Sequence, residues 1–412
     1  MQLETAMLAI ERQLEAVKSW SQHTQQPVLS VYVDVDPAKT ENAGRAWVTR
    51  VKNALSGLPG LRDVHGKHDQ PMFARVMSLL EAERPSARTM ALFACRDDRD
   101  GLHAERLDLQ VELPVVDVAG GRVDVRYGKP YLTPLALACD EYARTGVLLL
   151  KHAGSWEFLE VFLGEARRDD DVLAEIAPDA WQTLEEAGRR IASQFRERAG
   201  KPGGRYDKLA PSERLAARLA TWTQKLYVHL ARLVERAMDR LAIERLVLLG
   251  DPWQVSHFEA FLSRRVQQRL IARMPPLPPN GPDTPAAIWR HVEPVVIELE
   301  RREEMQLLER VKEQGGLWGA EAVLDAVQLG RVRTWVLPWS PELKVYRCPA
   351  DDTFAATAES ARRLCDEPVE VALREHVLEL AGQYGADLEF VRGAAERRLM
   401  NEMGGMAAQL RW

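Results

Sequence analysis

Leu3, Met7, Ile10, Leu14 and Val17 stand three and four positions apart, a spacing that gathers them on one helical face and predicts an amphipathic helix over residues 1–19. Residues 27–35 then read as a strand, whose β-branched content and length favour partial cover on both faces. A helix over 43–58 follows. Residues 88–94, 107–113 and 122–127 are strand candidates separated by Gly and Asp turns, so residues 1–130 read as an α/β domain. Past Tyr131, a short helix carrying Leu135, Leu137 and Ala138 feeds a strand at 146–151, a turn at Ala153-Gly154 and a second strand at 156–163. Two long helices come next. The first covers 179–198; the second starts after Pro211 and sets Leu215, Leu219, Trp222, Leu226, Leu230, Leu233, Ala237 and Leu241 on one face. A strand at 244–250, a helix at 253–262 and a strand at 269–273 complete a middle domain over 131–274.

The proline-rich segment 274–285 denies the backbone helix or ladder hydrogen bonds and marks a boundary. Beyond it, a helix over 288–314 stops at Gly315-Gly316. A helix at 321–329, a strand at 332–337 and a closing helix, strand, helix and strand predict a small helix-covered sheet over 286–412. The fold class is therefore α/β in three domains, and a chain of 412 residues with 46% hydrophobic content can fill several cores. The net charge of −6 excludes a uniformly basic coat for indiscriminate nucleic-acid binding, so any RNA contact must be local. No apolar run approaches the roughly 20 residues of a membrane-spanning helix, and no membrane partner is expected. Four widely spaced cysteines, Cys95, Cys139, Cys348 and Cys365, and no apolar leader predict a cytoplasmic protein with reduced thiols.

One segment departs from the acidic balance. Between residues 188 and 218, nine basic residues (Arg189, Arg190, Arg196, Arg198, Lys201, Arg205, Lys208, Arg214, Arg218) face three acidic ones (Glu197, Asp207, Glu213). At its centre the loop Ala199-Gly-Lys-Pro-Gly-Gly-Arg-Tyr-Asp-Lys joins the two long helices, offering cations for phosphates and Tyr206 for stacking on a base. The bland reading is a solvated hairpin tip. Gly-Lys-Pro-Gly-Gly is not a phosphate loop, because it lacks the spacing of one and follows a helix rather than a strand. Elsewhere the ordinary readings win. His65 and His68 belong to a surface loop, and Asp34 and Asp36 to a strand-end turn. Trp222, Trp253, Trp289, Trp318 and Trp335 are core or interface residues, and Cys348 and Cys365 each stand alone where structural zinc wants four good ligands. No metal, cofactor or hydrolase motif is expected.

Several segments nevertheless fall in one order. They are Leu29-Ser-Val-Tyr-Val-Asp-Val-Asp-Pro, Gly146-Val-Leu-Leu-Leu with Phe158-Leu-Glu-Val-Phe-Leu-Gly-Glu, and Arg245-Leu-Val-Leu-Leu-Gly. Trp318-Gly-Ala-Glu-Ala-Val-Leu-Asp-Ala-Val-Gln-Leu-Gly-Arg-Val-Arg-Thr and the terminal Met403-Gly-Gly-Met-Ala-Ala-Gln-Leu-Arg-Trp follow. Together they resemble the bacterial proteins related to archaeo-eukaryotic class-1 release factors and Pelota. The resemblance implies a ribonuclease-H-like middle domain and a C-terminal α/β domain like the ribosomal proteins that bind kink-turn RNA. It further implies docking at the ribosomal A site, with ribosomal RNA, tRNA and a translational GTPase as partners. In the release factors a Gly-Gly-Gln loop between two middle-domain helices enters the peptidyl-transferase centre. Here the corresponding loop reads Gly203-Gly204-Arg205.

An arginine cannot replace a short amide that both donates and accepts. The expectation is therefore a ribosome-associated, Pelota-like factor acting in stalling, rescue or dormancy without Gly-Gly-Gln-type hydrolysis. Its RNA-binding residues would be Arg198, Lys201, Gly203, Gly204, Arg205, Tyr206 and Lys208. The enzymatic alternative is a peptidyl-tRNA hydrolase working through the backbone of Gly203 and Gly204. A third reading is a scaffold that kept the fold and lost its ribosomal contacts.

Overall fold

The computed structural model describes residues 8–411 apart from 25, 59–60, 62–69, 83–86, 97–100, 115–121, 169, 200–208 and 279–281; for 22–23, 70, 82, 153, 194–199 and 209–219 the backbone alone is described. His65 and His68 thus lie outside the described residues. Helix α1 (Ala9–His23) buries Ile10, Leu14 and Val17, the stripe read from the sequence. Strand β1 (Val28–Asp34) is buried at every position, because it lies inside its sheet with neighbours on both edges. Helices α2 (Ala46–Gly57) and α3 (Gln70–Ala82) precede β2 (Thr89–Arg96), β3 (Leu102–Leu109) and β4 (Val123–Gly128). The sheet is ordered β3-β2-β1-β4 and is antiparallel throughout, with Val31 facing Leu92 on one side and Val125 on the other. The third strand stops at Leu109, short of the expected 107–113. Thr89 accounts for the difference: its hydroxyl donates to Val111 O and accepts from Leu113 N, which holds that stretch beside the sheet without a ladder.

After α4 (Thr133–Glu141) comes a second sheet, formed by β5 (Thr145–Leu150), β6 (Trp156–Phe162) and β7 (Glu165–Arg168) and, later in the chain, β8 and β9. Helices α5 (Asp170–Ile176), α6 (Pro178–Ala199) and α7 (Leu209–Arg240) lie between β7 and β8 (Arg245–Leu249). Helices α8 (Pro252–Glu259) and α9 (Arg264–Gln268) precede β9 (Leu270–Met274). The order is β7-β6-β5-β8-β9, with β6 and β7 antiparallel and β5, β8 and β9 parallel. Alternate residues of β5 and β8, Leu148, Leu150, Leu246 and Leu248, share a core with α6 and α7. Residues 142–296 form one compact unit and residues 9–141 with 297–412 the other, the division falling inside α10 (Pro285–Glu313).

The remaining elements are β10 (Leu317–Trp318), α11 (Ala320–Gln328), β11 (Val332–Pro338), β12 (Lys344–Cys348), β13 (Thr353–Ala355), α12 (Ala358–Leu364), β14 (Val369–Ala372), α13 (Val377–Tyr384), β15 (Asp387–Val391), α14 (Gly393–Glu402) and β16 (Ala407–Leu410). They make a mixed sheet, β10-β16-β11-β15, and a small antiparallel one, β13-β12-β14. Two segments distant in sequence meet in the larger sheet. Gly319 N lies 2.9 Å from both Met403 O and Met406 O; a Cβ on Gly404 would come within 3.1 Å of Gly319 Cα, and Gly319 itself sits at φ +94°, where a side chain is strained. Cys348 and Cys365 correct an expectation: they are joined by a disulfide, with Cα atoms 5.9 Å apart, and are not isolated reduced thiols. They are 17 positions apart, and the packing of α12 across β12 brings them together. Cys95 and Cys139 are in no disulfide.

Within the unit formed by 9–141 and 297–412, the first sheet is stapled to the C-terminal segment. Arg126 of β4 pairs with Glu342 at 2.6 Å and with Glu375, and Lys129 pairs with Glu379 at 2.6 Å. The Trp339 indole donates to Pro114 O at 2.7 Å and the Thr133 hydroxyl to Arg374 O at 2.7 Å. Beside this seam Glu304 is 1% exposed, with its carboxylate 2.8 Å from Arg301 Nη1 and accepting from Arg392 N at 3.3 Å. Burial pushes the Glu304 carboxyl up to about 8 despite the pull of Arg301. The folded state therefore holds this proton more tightly than the unfolded chain, and stability is lost as pH rises from the ordinary carboxyl range through about 8. Glu304→Gln should be more stable than the parent by about 1–2 kcal/mol at pH 8.5, with the gap closing by pH 5. Urea denaturation at the two pH values measures it; a gap independent of pH would show that Glu304 is solvated.

Candidate RNA-contacting site

The α6–α7 hairpin is rooted in the sheet of the 142–296 unit. On α6, Ala180, Leu184, Ala187 and Ile191 are buried; on α7, Leu226, Leu230, Leu233, Val234 and Ala237 are. The two helices run antiparallel, since Asp179 at the start of α6 pairs with Arg236 near the end of α7 at 2.9 Å while Arg190 meets Trp222. Trp156 of β6 packs edge-on to Trp181 at 5.6 Å, which pins α6 to the sheet. Gly154, at φ +76°, lets the turn after β5 pass under α6: a Cβ there would lie 2.9 Å from Ile191 Cδ1. From Ile191 the α6 backbone continues eight residues to Ala199, about 12 Å, and α7 begins 17 residues before Leu226, about 25 Å.

Arg189 and Arg190, on the described part of α6, each have an acidic partner. Arg189 lies 4.0 Å from Glu185 and Arg190 2.9 Å from Glu186, each one turn away and each exposed. Those glutamates fall just before the window in which the basic surplus was counted, so two of its nine cations are neutralised locally. Such exposed pairs contribute only about 0.3–0.5 kcal/mol each. Arg190 also lies over the Trp222 ring at 4.7 Å, and Lys225 Nζ lies 4.7 Å from the same ring. Trp222 is thus partly buried between two cations and joins the helices through stacking rather than through core packing alone. The sequence reading missed this cation–indole arrangement, although Trp222 and Lys225 three positions apart were visible on one helix face.

Of the residues expected to bind RNA, Arg198 lies in the last turn of α6, with its side chain outside the described residues. Lys201, Gly203, Gly204, Arg205, Tyr206 and Lys208 all lie outside the described residues. The tryptophans expected in core or interface positions divide. Trp335 and Trp289 are buried, whereas Trp253 is 64% exposed and Trp318 46%, so these two are surface residues.

Asp34 and Asp36 behave as turn residues. Asp34 accepts from Asp36 N at 3.1 Å, Lys39 at 2.6 Å, Arg122 at 2.8 Å and Asn42 at 2.9 Å. Burial would raise its carboxyl, but these donors together hold it below the usual range, which leaves no proton for general acid work. Among the described residues, no group of three or more His, Cys, Asp or Glu is placed to hold a metal, and no helix is long and apolar enough to cross a membrane.

Residues 130–295, from just before α4 to the unit boundary in α10, match the family described as bacterial archaeo-eukaryotic release factor family 10. The match covers 166 of the 412 residues of the chain. The match spans all of β5 to β9 and the hairpin between them; the resembling segments near Trp318 and Met403 lie beyond it. Three solved structures match the chain at low identity. The archaeal translation termination factor aRF1 is 11% identical, with 98% of this chain and 99% of that one covered and a TM-score of 0.24. Dom34 of S. cerevisiae, a translation termination-like factor involved in RNA quality control pathways and interacting with Hbs1, is 10% identical over 79% and 80%, with a TM-score of 0.36. Archaeal Pelota, from a model of the ribosome-bound protein with ABCE1, is 16% identical over 78% of each chain, with a TM-score of 0.37. No curated protein matches the chain.

Proposed function

We propose that this protein is a ribosome-associated factor that occupies the A-site region in stalling, rescue or dormancy, and that the loop joining α6 and α7 contacts RNA there. The carrying observation is that the family match includes that whole hairpin, whose two helices are rooted in the sheet and whose joining residues hold the basic, glycine-rich run. Arg198, Lys201, Arg205 and Lys208 contact phosphates, Tyr206 stacks on a base, and Gly203 and Gly204 let the backbone approach closely. Arg205 stands where release factors carry glutamine, so the protein binds without hydrolysing peptidyl-tRNA. The strand order β7-β6-β5-β8-β9 supports a ribonuclease-H-like middle domain, and the helix-covered sheet β10-β16-β11-β15 supports a C-terminal domain of the kink-turn-binding type. In this reading the three domains span 1–130, 131–274 and 286–412, and the partners are ribosomal RNA, tRNA and a translational GTPase.

Reversing two phosphate-contacting charges with Arg205→Glu/Lys208→Glu should weaken co-sedimentation with ribosomes about tenfold at low salt, and binding by the parent should itself fall steeply as salt rises. Unchanged co-sedimentation of the double variant would remove the hairpin from the reading. Peptide release from peptidyl-tRNA on purified ribosomes, abolished by Gly204→Ala, would replace it with the hydrolase alternative.

A further inference from the structure

The disulfide between Cys348 of β12 and Cys365, just past α12, has no part in the contacts proposed for the hairpin. What it holds in place is visible in the residues around it. Helix α12 is fixed at its start without help from the sulfurs: the Thr357 hydroxyl accepts from Ser360 N at 3.1 Å, the Ser360 hydroxyl donates to Glu321 of α11, and Ala361 is fully buried. Past Ala361 those anchors end. Arg362, Arg363, Leu364, Asp366 and Glu367 are exposed, Leu364 to 53% although it is apolar. Arg363 pairs with Glu359 of its own helix, and the Cys365 N–H donates back to Ala361 O. Ladder pairing resumes at Val369, opposite Arg347. Among the described residues, no hydrogen bond or ion pair ties 362–368 to anything outside α12, so the bond from Cys365 to Cys348 is what fastens this stretch.

The two sulfurs are unequally placed. Cys348 is fully buried, while Cys365 is partly exposed within an exposed stretch, so a thiolate in solution meets the bond from the Cys365 side. Exposed disulfides are the labile ones. Where thiols are held reduced, a disulfide is usually catalytic or redox-sensing rather than a permanent brace. This last point rests on the ribosome-associated reading, which puts the protein among reduced thiols; the exposure of Cys365 does not depend on it.

We propose that Cys348 and Cys365 are a reversible redox modification site that fastens residues 362–368 to β12 when oxidised and releases them when reduced. The chemistry is exchange with thiols in solution. A thiolate attacks the Cys365 sulfur, the S–S bond breaks, and Cys348 leaves as a thiolate that takes up a proton. A second thiolate attacks the reductant's sulfur in the mixed disulfide, which frees Cys365 as the second thiol and leaves the two reductant thiols joined as a disulfide. Two electrons and two protons pass to the protein, and oxidation by a disulfide in solution is the reverse. Once unbonded, the sulfurs have to separate to van der Waals contact. Strand β12 is paired on both edges, by β13 and β14, so the segment carrying Cys365 is the one that moves.

The test equilibrates the purified full chain in glutathione buffers from fully reduced to fully oxidised and takes two readings by mass spectrometry: alkylation of Cys365 in the folded protein, and tryptic cleavage after Arg362 and Arg363. The other cysteines do not confuse the count, since Cys95 is buried and burial pushes the Cys139 thiol up to about 11. In the oxidised protein Cys365 should resist alkylation and both peptide bonds should be cut slowly. Millimolar reduced glutathione should open Cys365 to alkylation and speed cleavage at this stretch about tenfold, and oxidised glutathione should restore both readings. Cys365→Ser should be cut at the fast rate in every buffer, with the urea midpoint of the reduced parent. The parent is compared with itself, so the comparison stands even where the variant fails to fold. No ribosome is present, and Arg205→Glu/Lys208→Glu should titrate as the parent does, which separates failure of this site from failure of the hairpin. The proposal is overturned by a bond that survives the fully reduced buffer in the folded protein, by thiols that do not rejoin under oxidised glutathione, or by cleavage after Arg363 at one rate in both states.

Discussion

Gly316→Ala should lower the unfolding free energy by about 3 kcal/mol, a large loss for one methyl group. At the end of α10 the chain turns through Gly315, at φ +74°, and Gly316 N donates back to Val311 O at 2.9 Å. A Cβ on Gly316 would stand 2.6 Å from Ala408 O, 2.8 Å from Val311 Cγ1 and 2.9 Å from Val311 O. Two of those three atoms are backbone oxygens and cannot rotate away. Relief has to come from separating β10 from β16, whose pairing sets Leu317 opposite Ala408, or from opening the last turn of α10. The neighbouring Gly315→Ala is the control: a Cβ there meets open space, so the cost is the positive φ alone, about 1 kcal/mol. Urea denaturation of both variants decides the point, and equal losses would mean that the contact with Ala408 is not tight in solution.

The sequence made this junction visible only in part. A Gly-Gly pair after a long apolar-striped segment reads as a helix stop, but nothing local says which of the two glycines is sterically indispensable, because the opposing oxygen comes from a strand about 90 residues away. The same division runs through the molecule. Strands β1, β5 and β8 were legible because each is flanked on both edges and is rich in valine and leucine. Helix α3 was passed over although Met72, Val76 and Leu80 repeat every four positions and are buried. The small sheet β13-β12-β14 was missed because its strands have three to five residues and its order depends on pairing. The disulfide was illegible for a related reason: neither Cys348 nor Cys365 has a second cysteine at short spacing. At the functional level, the basic loop could be read as composition.

Removing the Glu141 carboxylate should have the other large effect, and it acts through charges that no local pattern announces. Glu141, at the end of α4, is 5% exposed, accepts from Arg392 Nη1 at 3.0 and 2.8 Å through its two oxygens, and pairs with Arg301 of α10. The two arginines are 33% and 27% exposed, so water can solvate them only partly. In Glu141→Ala both guanidinium groups lose this carboxylate, and Glu304 remains as a partner of Arg301. Breaking a buried ion pair from one side costs about 3–5 kcal/mol when the remaining charge stays buried, and partial exposure of the arginines places the expectation at about 2–4 kcal/mol. The loss should depend on pH through Glu304. Glu141 is one of the charges that raise the Glu304 carboxyl, so its removal lets Glu304 ionise at lower pH and recover part of the pairing. A double-mutant cycle with Glu304→Gln therefore separates two accounts. If the two carboxylates act on the Arg301 they share, Glu141→Ala costs more in the Glu304→Gln background than in the parent at pH 8.5. Additive losses, or a Glu141→Ala cost below about 1 kcal/mol, would mean that each arginine is already solvated and that the seam between α4, α10 and Arg392 is held by its apolar and neutral contacts.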